Sequence, residues 1–185
     1  MIYCITGMPG SGKSLVSEAA KSMGLTVLSM GDVIRDEAKS RGIAITPESL
    51  GSLMLRLREE EGEGVVAKKC FERAKGMGTP VVVEGLRSLE ELTYFRESGD
   101  VLVVAVHASP KTRFKRLLKR GREDDPKDWK TFEERDMREL RVGLGSVIAL
   151  ADVVLVNEGP IPELVSSAKL LFGGGSIGTQ GKGEG

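Results

Sequence analysis

Four short runs of apolar, β-branched residues punctuate the chain: Ile2 to Thr6, Val81 to Val83, Val101 to Val106 and Val153 to Val156, with a weaker fifth at Thr26 to Ser29. Runs that are continuous rather than alternating suit strands covered on both faces of a parallel sheet. The segments between them carry helical spacing. The first places Leu15, Val16, Ala19, Ala20 and Met23 on one face and closes at Gly24, where a left-handed cap is expected. A later one places Leu140, Leu144, Val147 and Ile148 on one face of a helix. Strands alternating with helices predict a doubly wound α/β layer with right-handed crossovers. The crossover between Ser29 and Thr79 is too long for one helix. Pro47, Gly62 and Gly64 divide it into pieces near 31 to 41, 48 to 60 and 64 to 75, a helical insertion spanning about 30 to 78. From residue 173 to 185, seven of thirteen residues are glycine, and ordering them would cost entropy without burying anything. A flexible terminus is expected there, with a binding segment as the alternative.

The 185 residues suit one domain, here residues 1 to 172, and 40% hydrophobic with 29% charged residues supplies an ordinary core. Lys plus Arg and Asp plus Glu each number 27, a balance that argues against a protein coating nucleic acid or an acidic membrane. Cys4 and Cys70 are the two cysteines, and Cys4 sits in an apolar run, which reads as a reducing, cytoplasmic setting. The longest apolar stretches are short or interrupted by Asp152, so a bilayer span is excluded.

Directly after the first run and before the first helix stands Gly7-Met8-Pro9-Gly10-Ser11-Gly12-Lys13-Ser14, a full match to G-x-x-x-x-G-K-[ST]. The chain's own composition yields about 0.03 chance matches to this pattern. Small residues let successive N–H groups turn inward around a phosphate, and the following helix adds partial positive charge. Lys13 supplies a cation for the β- and γ-phosphates, and the Ser14 hydroxyl stands where Mg²⁺ is ligated. Asn157 is followed by Glu158 and Gly159 rather than by lysine, so the guanine-specific N-K-x-D is absent and a GTPase is disfavoured.

Further motifs resemble nucleoside monophosphate kinases. Gly31-Asp32-Val33-Ile34-Arg35 is similar to the G-D-x-x-R of adenylate kinases, although Met30 stands where they carry Ser or Thr. Val81 to Arg87 is similar to their strand ending in an acidic residue, glycine and an acceptor-binding arginine. Arg116-Leu117-Leu118-Lys119-Arg120 with Arg122-Glu123-Asp124-Asp125 resembles their R-x-x-x-R and R-x-D-D lid. The absence of cysteine after Cys70 rules out a zinc-binding version of that lid. Ala149 to Gly159 looks like the last strand and turn of dephospho-CoA kinases. Together the pattern is similar to a family of archaeal P-loop, nucleotide-kinase-like proteins related to those two kinases. The resemblance implies a P-loop NTPase fold with a five-stranded sheet in the order 2-3-1-4-5, an acceptor-side helical insertion and a short lid near 120 to 130. It also implies that Asp32, Arg35 and Arg87 hold the acceptor, and that Arg116, Arg120 and Arg122 join Lys13 in catalysis.

Several residues keep more than one reading. Arg113, Arg116 and Arg120 fall on one stripe beside Phe114, Leu117 and Leu118, suited to a transferring phosphoryl group, to solvent or to RNA. Glu84 ends a buried strand, where it would hold Mg²⁺ through water or serve as a cap. Asp32 would equally suit the first turn of a helix. Arg135 and Arg138 either return to the phosphates or pair with Glu134 and Glu139. His107, the lone histidine, reads as structural or exposed, and Trp129 would cover a base or pack the lid shut. The favoured function is Mg·ATP-dependent transfer of the γ-phosphate to a small acceptor, of nucleoside monophosphate or dephospho-CoA type. The alternative is a P-loop ATPase acting on a protein or ribonucleoprotein partner.

Overall fold

A computed structural model describes residues 1–77, 80–122 and 125–174, with the backbone alone at residues 47 and 48. Most of the expected Gly-rich tail, from residue 175 onward, lies outside the described residues, as do Glu123 and Asp124 of the expected lid and residue 78 at the end of the expected insertion. The strands are β1 (Ile2–Thr6), β2 (Thr26–Ser29), β3 (Val81–Glu84), β4 (Val101–His107) and β5 (Val153–Val156). All are parallel, in the order β2-β3-β1-β4-β5. The expected fold class and strand order are those observed.

Side chains alternate across the sheet with period two, and each face meets its own helices. Ile2, Cys4, Val81, Val83 and Val103 face one layer, built from α2 (Met30–Ser40), α3 (Pro47–Glu61), α4 (Val65–Ala74), α5 (Leu89–Ser98) and α8 (Leu144–Ala149). Ile5, Val82, Val104, Val106 and Leu155 face the other, built from α1 (Lys13–Ser22) and α9 (Ile161–Phe172). Burial on both sides is why β1, β3 and β4 read as unbroken apolar runs. The edge strand β5 departs from that expectation: its run is equally apolar, yet Val154 and Val156 are exposed, because no strand or helix among the described residues covers that face. Two helices, α6 (Pro110–Arg120) and α7 (Trp129–Val142), stand beyond the carboxyl ends of β4 and β1, where open α/β sheets place their ligands.

The helix ends follow local chemistry. Ser29 caps α2 by accepting the Asp32 N–H at 3.3 Å, so Asp32 does lie in a helix's first turn. Ser88 and Glu91 form a capping box on α5. The segment carrying Leu140 to Ile148 is not one helix but two, because Gly143 adopts a left-handed φ of 106° that ends α7 and turns the chain into α8. Leu144 and Val147 are consequently buried, whereas Leu140 is exposed.

One buried ion pair ties the insertion to the sheet's carboxyl edge. Arg58 of α3 donates from Nη2 to Glu91 Oε1 at 3.0 Å, and the side chains are only 9% and 4% exposed. The other carboxylate oxygen of Glu91 accepts the backbone N–H of Arg87 at 2.9 Å and of Ser88 at 3.3 Å. Removing one partner of such a pair leaves a buried, uncompensated charge. Glu91→Ala should therefore lower the unfolding free energy by about 3 kcal/mol in a urea titration. A loss below about 1 kcal/mol would show that this carboxylate is not a keystone.

Candidate active site

The phosphate-loop motif runs from the end of β1 into α1, as its spacing requires. Three of its glycines are demanded twice over, Gly10 by φ +79° and a Cβ position 2.9 Å from the Arg113 carbonyl oxygen. Gly7 has φ +143°, and a Cβ there would lie 2.3 Å from the Val106 carbonyl oxygen. Gly12 has φ +103°, and a Cβ there would lie 2.2 Å from Asn157 Nδ2. The loop's carbonyls turn toward donors. Lys13 Nζ donates to Gly7 O at 2.5 Å and Met8 O at 3.1 Å, Arg113 Nη1 to Pro9 O at 3.2 Å, and Asn157 Nδ2 to Ser11 O at 2.8 Å.

Above the loop opens a cavity of about 340 Å³. It brings together Gly7, Pro9, Gly10, Gly12, Lys13 and Ser14 of the loop with Glu84 and Arg87 from the end of β3 and beyond, Arg116 and Arg120 of α6, Arg122, and Arg135 of α7. Of the two arginines left open on α7, Arg135 lines the cavity, while exposed Arg138 does not. Met8 and Ser11 do not line it, and their carbonyls accept Lys13 Nζ and Asn157 Nδ2. Asp32 and Arg35 lie away from the cavity. They pair with each other at 2.5 Å, half exposed, on the first turns of α2.

The basic stripe of α6 needs one correction. Arg113 is 3% exposed and does not line the cavity. Its guanidinium forms a two-pronged pair with Asp136 of α7 at 2.8 and 2.5 Å, donates to Ala108 O, and lies 4.9 Å from the Phe132 ring centre. A residue at helical spacing beside the apolar face was drawn into the core because a carboxylate on the neighbouring helix neutralises it. Arg116 and Arg120 remain at the cavity. Arg116 donates to Asn157 Oδ1 at 3.3 Å, and its Nη1 is buried without a hydrogen-bond partner. Arg120 forms a two-pronged pair with buried Asp125, which Arg135 also approaches at 3.4 Å, and the Arg120 guanidinium first of all holds the Asp125 carboxyl below its usual range.

Glu84 Oε2 accepts the Ser17 hydroxyl at 2.6 Å, and Ser14 is exposed at the mouth of the loop. Trp129 packs edge-on against Phe114, with ring centres 5.3 Å apart, and against Phe132, and it does not line the cavity. His107 is exposed, and its carbonyl accepts the Asn157 N–H at 2.7 Å. Sequence reasoning missed two residues at the site. Glu139 lines the cavity 3.8 Å from Arg87, and its signal was its spacing four residues after Arg135, on the same helix face. Asn157 bridges the loop and Arg116; its position just past the last strand was visible, its side-chain role was not.

The residues present fit a nucleoside polyphosphate with its metal. The tight glycine turn, the helix start, the Lys13 ammonium and the partnerless Nη1 of Arg116 all suit phosphate oxygens, and Ser14 with Glu84 offers hard oxygen ligands of the kind Mg²⁺ takes.

A phosphate loop after the central strand of a parallel sheet ordered 2-3-1-4-5, faced by a wall of arginines, defines the P-loop kinase-like fold. A family profile described as an AAA domain matches residues 4–140. A UPF0200 protein from Hyperthermus butylicus is 50% identical over 173 residues, covering 93% of each chain. The chain belongs to the UPF0200 family. Among solved structures it is similar to TT1252 from Thermus thermophilus, with a TM-score of 0.65 and 20% identity over 94% of this chain and 97% of the other. It is also similar to a shikimate kinase from Bacteroides thetaiotaomicron, with a TM-score of 0.60 and 14% identity over 94% and 98%.

Burial pushes the Lys13 ammonium down to about 8, and the Arg87 guanidinium adds to the shift, while Glu84 and Glu139 oppose it. The charged form is present below that value and is lost as pH rises through it. The affinity for Mg·ADP, measured by titration calorimetry at fixed ionic strength, should therefore fall between pH 7 and pH 9, with a proton taken up on binding near pH 8. An affinity that is flat across this range in wild type would show that Lys13 keeps its proton throughout.

Proposed function

We propose that the protein transfers the γ-phosphate of Mg·ATP to a small, nucleotide-like acceptor, of nucleoside monophosphate or dephospho-CoA type. The supporting observation is the convergence, in one cavity, of the phosphate loop with Arg87, Arg116, Arg120, Arg122 and Arg135, drawn from the β3 edge, α6, α7 and the segment between those helices. Phosphoryl transfer asks little covalent chemistry of a protein. It asks for alignment and for positive charge where the phosphoryl oxygens gain negative charge. In this reading the loop and Lys13 hold the β- and γ-phosphates, Ser14 and Glu84 hold the metal, the α6 and α7 arginines meet the transferring group, and Arg87 meets the acceptor. Mg²⁺, when bound, offsets charge on the phosphate oxygens. Both thiols are free and buried, and burial first of all pushes the Cys70 thiol up to about 12, so neither is poised for redox chemistry. That suits a cytoplasmic enzyme.

The partner-driven ATPase keeps one specific observation in its favour. Arg35, expected to grip an acceptor, is tied to Asp32 outside the cavity, which leaves Arg87 as the main acceptor-side cation. The two readings separate in a turnover assay. ATP consumption should rise when a nucleoside monophosphate, dephospho-CoA, shikimate or gluconate is added to the purified protein, and a thermal-shift screen with Mg·ADP present should identify the same compound, because a ligand of the folded state raises its stability. Turnover that ignores every small molecule and responds to a cell-extract protein or ribonucleoprotein fraction would favour the ATPase.

Two substitutions test the assignment. Lys13→Ala should cost about 100- to 1,000-fold in turnover, because preorganised charge is lost at the reacting phosphate. Arg87→Ala should raise the acceptor KM while leaving Mg·ATP affinity within about twofold, since a remote positioning contact enters through the second substrate. Separate titrations of the two ligands check this, and an effect confined to ATP would misplace the acceptor.

A further inference from the structure

The arginine wall contains one carboxylate that the reading above leaves unused. Glu139 stands on α7 one turn beyond Arg135, lines the same cavity as Lys13 and Ser14, and is 17% exposed. Its charged neighbour is Arg87, whose Nη1 lies 3.8 Å from Glu139 Oε1, too far for a hydrogen bond but close enough to orient the carboxylate. The cavity's other carboxylate differs. Glu84 pairs in the sheet with Ile5 beside the loop and already accepts the Ser17 hydroxyl.

A carboxylate held only loosely by Arg87 is costly where polyphosphate must bind, since like charges repel most strongly in a partly dehydrated cleft. It has a use if the second substrate brings a proton to it. A phosphate acceptor brings none. Its oxygens are largely ionised at neutral pH, so it would need no base and would meet Glu139 as a like charge. An alcohol keeps its proton until transfer and needs a basic oxygen within hydrogen-bond reach. Resting on the kinase reading, we infer that the acceptor's reacting group is an alcohol hydroxyl and that Glu139 is the base that takes its proton. In the step, the acceptor oxygen forms a bond to the γ-phosphorus while the bond from that phosphorus to the β,γ-bridging oxygen breaks. ADP leaves with the electron pair, and the hydroxyl proton moves to Glu139 and then to water. Arg87 positions the carboxylate.

Water is itself a hydroxyl acceptor, so slow ATP hydrolysis reports on Glu139 whichever acceptor is native. The full-length protein and its Glu139→Gln and Glu139→Asp variants are compared for hydrolysis of γ-³²P-labelled ATP and for Mg·ADP affinity, with folding checked by circular dichroism. Label transfer is then followed to AMP and CMP as phosphate acceptors, and to dephospho-CoA, adenosine, shikimate and gluconate as alcohols. Glu139→Gln should lower kcat about 100-fold while binding Mg·ADP at least as tightly as wild type, Glu139→Asp should fall between it and wild type, and label should reach an alcohol. Hydrolysis by Glu139→Gln within about threefold of wild type overturns the role of Glu139. Label on a nucleoside monophosphate, giving a diphosphate, overturns the alcohol acceptor while the kinase reading stands. Turnover that responds only to a macromolecular partner, with no small molecule labelled, overturns both.

Discussion

A loop that offers its N–H groups to phosphate leaves carbonyl oxygens on its outer side, and each needs a donor once covered. Here the donors come from three separate places. Lys13 folds back to Gly7 and Met8, Arg113 of α6 reaches Pro9, and Asn157 at the end of β5 reaches Ser11. The loop's shape therefore depends on α6 and β5 being docked against it. It depends equally on the absence of side chains at Gly7 and Gly12, where the Val106 carbonyl and the Asn157 amide occupy the space. The same donors fix what lies above the loop. Arg113 is anchored by Asp136 of α7, so the loop, α6 and α7 are held as one unit, and Asn157 carries Arg116 on its other atom.

So many arginines in one cleft would repel one another without nearby carboxylates. Asp125 takes two of them, Arg120 and Arg135, and its backbone-facing oxygen also accepts the Arg122 N–H at 3.1 Å, so the turn between α6 and α7 is organised around a buried acid. Glu139 faces Arg87 from within the cavity, too far for a hydrogen bond, and leaves that arginine only partly offset. The result is a wall rich in arginine toward the loop, with Asp125 behind it and Glu84 and Glu139 at its surface. The desolvation that makes such charges strong toward phosphate also makes their partners indispensable.

The insertion contributes at one remove. Among the described residues none of α2, α3 or α4 lines the cavity, yet Arg58 holds Glu91, and Glu91 holds the backbone at Arg87 and Ser88. Motion of α3 would thus be felt at Arg87 through a buried charge pair rather than through direct contact. No helix among the described residues is long and apolar enough to cross a membrane.

Local chemistry, readable along the chain, determined most of the frame. Unbroken apolar runs alternating with helical spacing made a parallel sheet legible, and burial on both faces holds for β1, β3 and β4 though not for the edge strand β5, while the phosphate loop follows from its glycine, lysine and serine spacing. The strand order came from family resemblance rather than from spacing, and the sheet bears it out. Convergence and partnership were decided in three dimensions. Arg113 and Arg116 are three residues apart on one helix stripe, yet a carboxylate from α7 draws the first into the core and leaves the second at the cavity. Arg35 and Arg87 looked alike as acceptor-binding arginines, and only the docking of α2 placed one of them out of reach. Glu139 and Asn157 are ordinary in sequence, and they gain meaning from Arg87, Arg116 and Ser11, which stand 41 to 146 residues away. Such pairings depend on which helices pack against which edge, and a linear pattern carries no record of that.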